Sequence, residues 1–237
     1  MVYDVGGEGI ARITLRREHV LNAINPEMMR ALRAAINEFH ADDSARVAVI
    51  SGAGRAFCAG ADLREIPTAG PPEPTGDLGR MSEMVLSQEI QKPMIAAVHG
   101  HAVGAGLRLA LLCDFLLCTE SAQFRAPEVS HGLNSGSFWW MLQARAGDSF
   151  ATEVVATGRA FSGTEAAARG VAIRAVHETE LHAQADILAG RIAEQPRASM
   201  SALVDTRRSA LRQFELNAWT SRGRGLMWGR ADEKSSS

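Results

Sequence analysis

AAVHGHAVGAGLRLALLCDFLL, residues Ala96 to Leu117, places three kinds of structure in one segment. The run Pro93 to Val98 (PMIAAV) enters it as an apolar strand, Gly100 to Gly106 turn the chain, and Leu107 to Leu112 continue as an apolar helix. Asp114 to Cys118, DFLLC, then resume strand character. Strand, turn, buried helix and strand in this order indicate an α/β fold. The glycine-rich turn GHAVGAG matches neither the dinucleotide fingerprint nor the phosphate loop ending in Lys-Ser/Thr, so it implies no nicotinamide and no ATP.

The same rhythm extends upstream. Residues 9 to 15, GIARITL, alternate as a half-buried strand does, and Arg46 to Ile50, RVAVI, form a second apolar run. Between them the sequence predicts a helix over Pro26 to His40. Asn25 is its N-cap, Pro26 its first residue, and Met28, Met29, Leu32, Ala35, Ile36 and Phe39 form an apolar stripe. A repeated ββα order suits these runs better than isolated βαβ units, although periodicity alone does not decide between them. Residues 67 to 77, PTAGPPEPTGD, read as a surface loop that could cover a ligand, followed by a helix near Leu78 to Gln91. From about Ser149 the chain turns helical: SFATEVVATG, a capping box of Ser162 and Glu165, then Glu180 to Glu194 and Arg197 to Gln213. The expected organisation is a core over 1–190, a helical region over 191–230 and a disordered polar tail over 231–237.

The 237 residues are 46% hydrophobic and 22% charged, enough to bury one full core. A net charge of −2 supplies no basic field for nucleic acid or an anionic membrane, so neither is an expected partner. The opening MVYDVGGEGIARITL lacks the basic start and apolar stretch of a signal peptide, and no run is long enough for a membrane span, which sets a cytoplasmic expectation. Cys58, Cys113 and Cys118 sit in apolar runs and read as reduced packing residues. His99, His101 and His131 lack an accompanying ligand set, so no metal site is expected.

Two segments carry a resemblance to a known family. RAFCAGADLREI, Arg55 to Ile66, and the stretch Ala96 to Leu117 resemble the two signatures of the crotonase (enoyl-CoA hydratase/isomerase) family, in the family's order and separation. AQFRAPEVSHGL (Ala122 to Leu133) and TGRAFSGTEAAARGVAIRAV (Thr157 to Val176) are similar to its later blocks. The resemblance implies a spiral of ββα repeats with a helical C-terminal trimerisation region, in a homotrimer or a dimer of trimers. It implies an acyl-CoA thioester as substrate and no cofactor beyond the coenzyme A that the substrate carries. By the match, the N–H groups of Ala61 and Ala105 form an oxyanion hole in turns lined by Ala59, Gly60 and Gly104. Asp62 and Leu63 support the pocket, and Asn22 and Ala23 match the loop that contacts coenzyme A. Backbone donors suit this chemistry, because an enolate needs fixed dipoles at the thioester oxygen and no added proton carrier.

One departure bears on the reaction. Hydratases of the family use two glutamates, and here the first position is Arg108 while the second, Glu128, remains. A single carboxylate resembles the arrangement in the family's double-bond isomerases, and Phe138, Trp139 and Trp140 resemble an apolar acyl pocket. Arg108 next to Glu128 would hold the carboxylate ionised and lower its pKa. The alternatives are a hydratase working with Glu128 alone, an acyl-CoA-binding protein without catalysis, or a decarboxylase whose Arg108 grips a second carboxylate of the substrate. The arginines of RRSALRQF and SRGRGLMWGR could contact coenzyme A phosphates or form an ordinary solvated helix face.

Overall fold

The computed structural model describes residues 1–6, 8–65, 81, 84–86 and 91–220, with side chains as far as residue 213. The loop expected over 67–77, the helix near 78–91 except for isolated positions, and the tail over 231–237 lie outside the described residues. Within them the strands are β1 (Val2–Val5), β2 (Ile10–Leu15), β3 (Val47–Gly52), β4 (Met94–Val98), β5 (His101–Val103), β6 (Phe115–Thr119), β7 (Gln123–Arg125), β8 (Ala160–Ser162) and β9 (Arg174–Val176). The helices are α1 (Pro26–Ala41), α2 (Ala105–Leu112), α3 (Gly136–Ala146), α4 (Asp148–Thr157), α5 (Gly163–Ala168), α6 (Leu181–Ala193) and α7 (Arg197–Thr220).

Among the described residues, six strands form one sheet in the order β1-β2-β3-β4-β6-β9, antiparallel at β1–β2 and parallel elsewhere. Both faces of this sheet are covered, which is why RVAVI and PMIAAV read as continuous apolar runs. On one face Ala48 and Ile50 share a core with the α1 stripe; on the other Val47 and Val49 share a core with Leu181, Ala185 and Ala189 of α6. All six stripe residues of α1 are buried, and Asn25 caps the helix by accepting from the Met28 N–H. Each larger apolar side chain buried in this way contributes roughly 1.5–3 kcal/mol.

A second, smaller sheet pairs β5 with β7 and β7 with β8, with Phe124 stacked on Phe161 at 5.3 Å between ring centroids. Cys58 joins it through a bridge to Ala102. From β4 to β7 the strands alternate between the sheets: β4 lies in the large one, β5 in the small one, and α2 follows. β6 and β7 repeat the step. This is the ββα order inferred from the sequence, now with a spatial meaning.

The C-terminal helix is pinned to the core. Asp114, at the start of β6, accepts from Arg207 and from the fully buried Arg208, and its Oδ2 also accepts from the Met94 N–H. Arg212 donates to the Leu86 carbonyl and pairs with Asp205. These three arginines of RRSALRQF are thus engaged within the chain, and with Arg208 fully buried the segment is not the ordinary solvated face that was one of the two readings offered for it. SRGRGLMWGR lies outside the described residues. The domain boundary expected at 190 falls inside α6, whose apolar face packs on the large sheet.

Candidate active site

The site begins where the two sheets exchange strands. Phe57 donates to the His99 carbonyl, Cys58 to that of His101, and Val103 back to that of Cys58, so residues 57–58 run beside β5. The chain then leaves this pairing at two turns, Ala59 to Asp62 and Gly104 to Ala105. Gly60 has φ +105°, and a Cβ there would stand 2.9 Å from the Val103 carbonyl oxygen and 3.9 Å from the Ala105 nitrogen. A side chain would prise the two turns apart, so glycine permits their approach.

The direction of the Ala61 peptide follows from its neighbours. Ile24 donates to the Gly60 carbonyl at 2.7 Å and accepts from the Asp62 N–H at 2.9 Å, a parallel bridge that leaves the N–H of Ala61 on the opposite side. Ala105 is the first residue of α2, where a helix leaves its N–H groups without intrahelical partners. Among the described residues neither N–H has a backbone acceptor.

Glu128 brings a carboxyl to the Gly104–Ala105 turn. It opens a short 3-10 helix, Glu128–His131, and is 7% exposed. Gly104 has φ +50°, and a Cβ there would lie 2.9 Å from Glu128 Oε1, so the missing side chain lets the carboxyl reach the turn. Oε2 is buried without a hydrogen-bond partner. Burial pushes the carboxyl up to about 7. The Arg108 guanidinium acts in the opposite sense but is outweighed, which corrects the expectation of a lowered pKa. Removing a carboxylate from water here costs more than the cation returns. Arg108 is itself buried on α2; it donates to Ser137 Oγ and stands over the Phe138 ring, 5.9 Å from its centroid.

The remaining predicted residues divide into buried braces and more exposed side chains. Asn22 is fully buried at φ +58°; its amide donates to the Ala53 and Ala56 carbonyls and accepts from the Arg17 N–H. Ala23 is buried and its carbonyl accepts from Arg17. Asp62 is buried and pairs with the same arginine at 3.1 Å. Leu63, 74% exposed, projects beside this turn. Phe138 is buried on α3, Trp139 donates to Thr152 Oγ1, and its ring meets that of Trp140 edge to face. Sequence reasoning passed over Arg17, Glu65 and Ser137: their partners lie far along the chain, and no local pattern marks them.

The three thiols are buried and pushed up to about 12 by that burial, which suits packing and not nucleophilic chemistry. His99 is held by the Gly54 carbonyl, and among the described residues no three His, Cys, Asp or Glu side chains gather as a metal-ligand group. No described helix is long and apolar enough to cross a membrane.

Known proteins share this fold and much of this sequence. The sequence pattern of the enoyl-CoA hydratase/isomerase family matches residues 6–224. A mitochondrial protein of Arabidopsis thaliana named probable enoyl-CoA hydratase 2 is 37% identical over 190 residues, which cover 79% of this chain and 63% of that protein. The carnitinyl-CoA dehydratase of Proteus mirabilis is 35% identical over 191 residues, covering 79% of this chain and 73% of the relative. The crystal structure of a probable enoyl-CoA hydratase from Mycobacterium thermoresistibile superposes with a TM-score of 0.80 at 31% identity, over 93% of this chain and 90% of that one. Two alternating sheets, small-residue turns at residues 59–62 and 104–105, and these sequence matches together place the chain, with its crotonase fold, in the enoyl-CoA hydratase/isomerase family.

Proposed function

We propose that the protein acts on an acyl-CoA thioester and moves a carbon–carbon double bond, with the Ala61 and Ala105 N–H groups binding the thioester oxygen and Glu128 carrying the proton. The observation that carries this reading is the buried Glu128 carboxyl, unpartnered at Oε2, pushed up to about 7 and reaching the Gly104–Ala105 turn. A group with this pKa takes and returns protons readily near neutrality.

In the proposed reaction a 3-enoyl-CoA binds with its carbonyl oxygen at the two N–H groups. The Glu128 carboxylate takes a proton from C2, the C2–H electrons move into the thioester, and a dienolate forms with its charge on that oxygen. Glu128 then returns the proton to C4, and the double bond ends between C2 and C3. Each backbone donor contributes roughly 3–4 kcal/mol to such a transition state. Arg108 is turned toward Ser137 and Phe138, and by the family resemblance it takes the position of a hydratase's other glutamate. That substitution supports proton transfer between carbons over addition of water.

Hydration with Glu128 alone is the second reading, favoured by the names of the relatives, a hydratase and a dehydratase. Turnover of a 3-enoyl-CoA and of crotonyl-CoA by the purified protein separates the two. Isomerisation predicts that the 3-enoyl substrate is converted and that Glu128→Gln abolishes conversion. Faster hydration of crotonyl-CoA would replace that reading, and acyl-CoA binding without turnover would point to a binding role or to a dicarboxyl substrate held by Arg108. By the family resemblance, the active form is a homotrimer or dimer of trimers; light scattering that finds a monomer at micromolar concentration would refute this.

A further inference from the structure

We infer that Arg17 is a positioning residue for the thioester carbonyl: its guanidinium fixes the direction of the Ala61 N–H by tying together the two strands that flank it. The inference rests on the proposed role of that N–H.

Arg17 follows β2 and reaches both sides of the Ile24–Ala61 bridge. On one side its own N–H donates to Asn22 Oδ1, its carbonyl accepts from the Asn22 N–H, and Nη1 donates to the Ala23 carbonyl at 2.7 Å. On the other, Nη1 reaches Asp62 Oδ2 at 3.1 Å and Nη2 reaches Glu65 Oε1 at 3.0 Å. The other Glu65 oxygen accepts from Asn25 Nδ2 at 2.8 Å, which ties the group to the cap of α1. Residues 22–25 and 62–65 are thereby held in one register by a planar, forked cation.

The peptide of Ala61 lies between these two attachments. Ile24 fixes Gly60 and Asp62 on either side of it, so a shift of the 22–25 segment relative to 62–65 rotates the Ala61 N–H. Donor direction matters, because a hydrogen bond weakens steeply as its angle departs from linear. The Arg17 side chain is largely shielded and its Asp62 partner more so, so water competes poorly for either group. Lysine offers one ammonium in place of the fork and cannot span the Ala23 carbonyl, Asp62 and Glu65 in the same geometry.

The test is the carbonyl stretch of a bound enoyl-CoA, isotopically labelled at the thioester carbon, in the wild-type protein, Arg17→Lys, Arg17→Met and Asp62→Asn. Polarisation at the two N–H groups lowers this frequency in the wild type. The expected result is that Arg17→Lys and Arg17→Met, read at saturating enoyl-CoA, recover much of the free-ligand frequency and lose roughly tenfold in kcat, with circular dichroism nearly unchanged. Asp62→Asn should shift the band in the same direction, and Arg17→Met combined with Asp62→Asn should lose less than the product of the single losses. If the wild-type band is not shifted at all, the proposed role of Ala61 and Ala105 fails. A shifted wild-type band that stays equally shifted in folded Arg17 variants leaves that role intact and overturns this inference; should Arg17→Met not fold, Arg17→Lys and Asp62→Asn decide it.

Discussion

The two halves of the site are built differently. The half formed by Ala59–Asp62 and Gly104–Ala105 consists of peptide groups aimed by strand register, with side chains kept small so that two turns can meet. The half formed by Arg108, Glu128, Ser137 and Phe138 consists of buried side chains on α2, a 3-10 helix and α3. The first is made of the main chain of the fold itself and asks of its side chains only that they be small. The second, on the proposed reading, selects among reactions, and by the family resemblance Arg108 replaces one of a hydratase's two glutamates. A resemblance carried by the first half therefore says more about family than about chemistry.

The largest effect should come from the side-chain half. Glu128→Gln, which preserves shape and removes the proton carrier, is expected to lower kcat by ~10²–10⁴-fold, read from initial rates at saturating 3-enoyl-CoA. A residual rate near wild type would mean that the side-chain half does not carry the chemistry. Close behind stands the backbone half: Gly60→Ala brings a Cβ to 2.9 Å from the Val103 carbonyl at a φ of +105°, and separating the turns should cost about 10²-fold or more in kcat. Unimpaired turnover by folded Gly60→Ala would show that the close approach of the turns is dispensable.

The halves should also respond differently to pH. Glu128 is raised from 4.5 to about 7 in the folded chain, so the native state binds its proton more tightly than the unfolded state. The sheltered neutral carboxyl is harmless to stability below about 4.5, and stability falls as pH rises from there to about 7, where the carboxylate must ionise in place. Glu128→Gln removes that penalty, so its advantage over wild type should grow from near zero at pH 4.5 to as much as about 3 kcal/mol at pH 8, measured by urea denaturation. Meanwhile kcat/KM for isomerisation should rise with pH through about 7, because the base must be ionised to take the first proton. Smallest of all, Arg108→Met should move that midpoint upward by less than about one unit, since the cation opposes the dominant burial effect. A downward movement would contradict the assigned electrostatics.

The same division explains what could be read in advance. The two turns of the backbone half were reached through the family resemblance of RAFCAGADLREI and of Ala96 to Leu117, each a short run of small residues beside an apolar strand. α1 was legible because its cap and six-residue stripe are local, and the helix ends one residue beyond the expected His40. α3 escaped notice, for Phe138, Met141 and Leu142 are its buried residues among mixed neighbours and form no clean stripe. β5, β7, β8 and β9 have three residues each, too few to show a period. The sign of the Glu128 shift was misjudged because proximity to Arg108 can be guessed from spacing, whereas depth of burial belongs to the assembled fold. Arg17 shows no signal at all, since its side-chain partners stand 6, 45 and 48 positions away.

If the peptide N–H groups of residues 61 and 105 grip the thioester oxygen as proposed, the choice of main-chain donors has a consequence for inheritance. A side chain is lost whenever its codon changes, but a main-chain N–H passes unaltered through every substitution except one, to proline. Within the room that two meeting turns leave, a lineage can therefore change residues 61 and 105 while the donor itself is copied without error. Glu128 has no such insurance: a single altered codon removes it. Descendants of one ancestor should for this reason keep a common way of gripping a carbonyl long after they have parted over what to do with it.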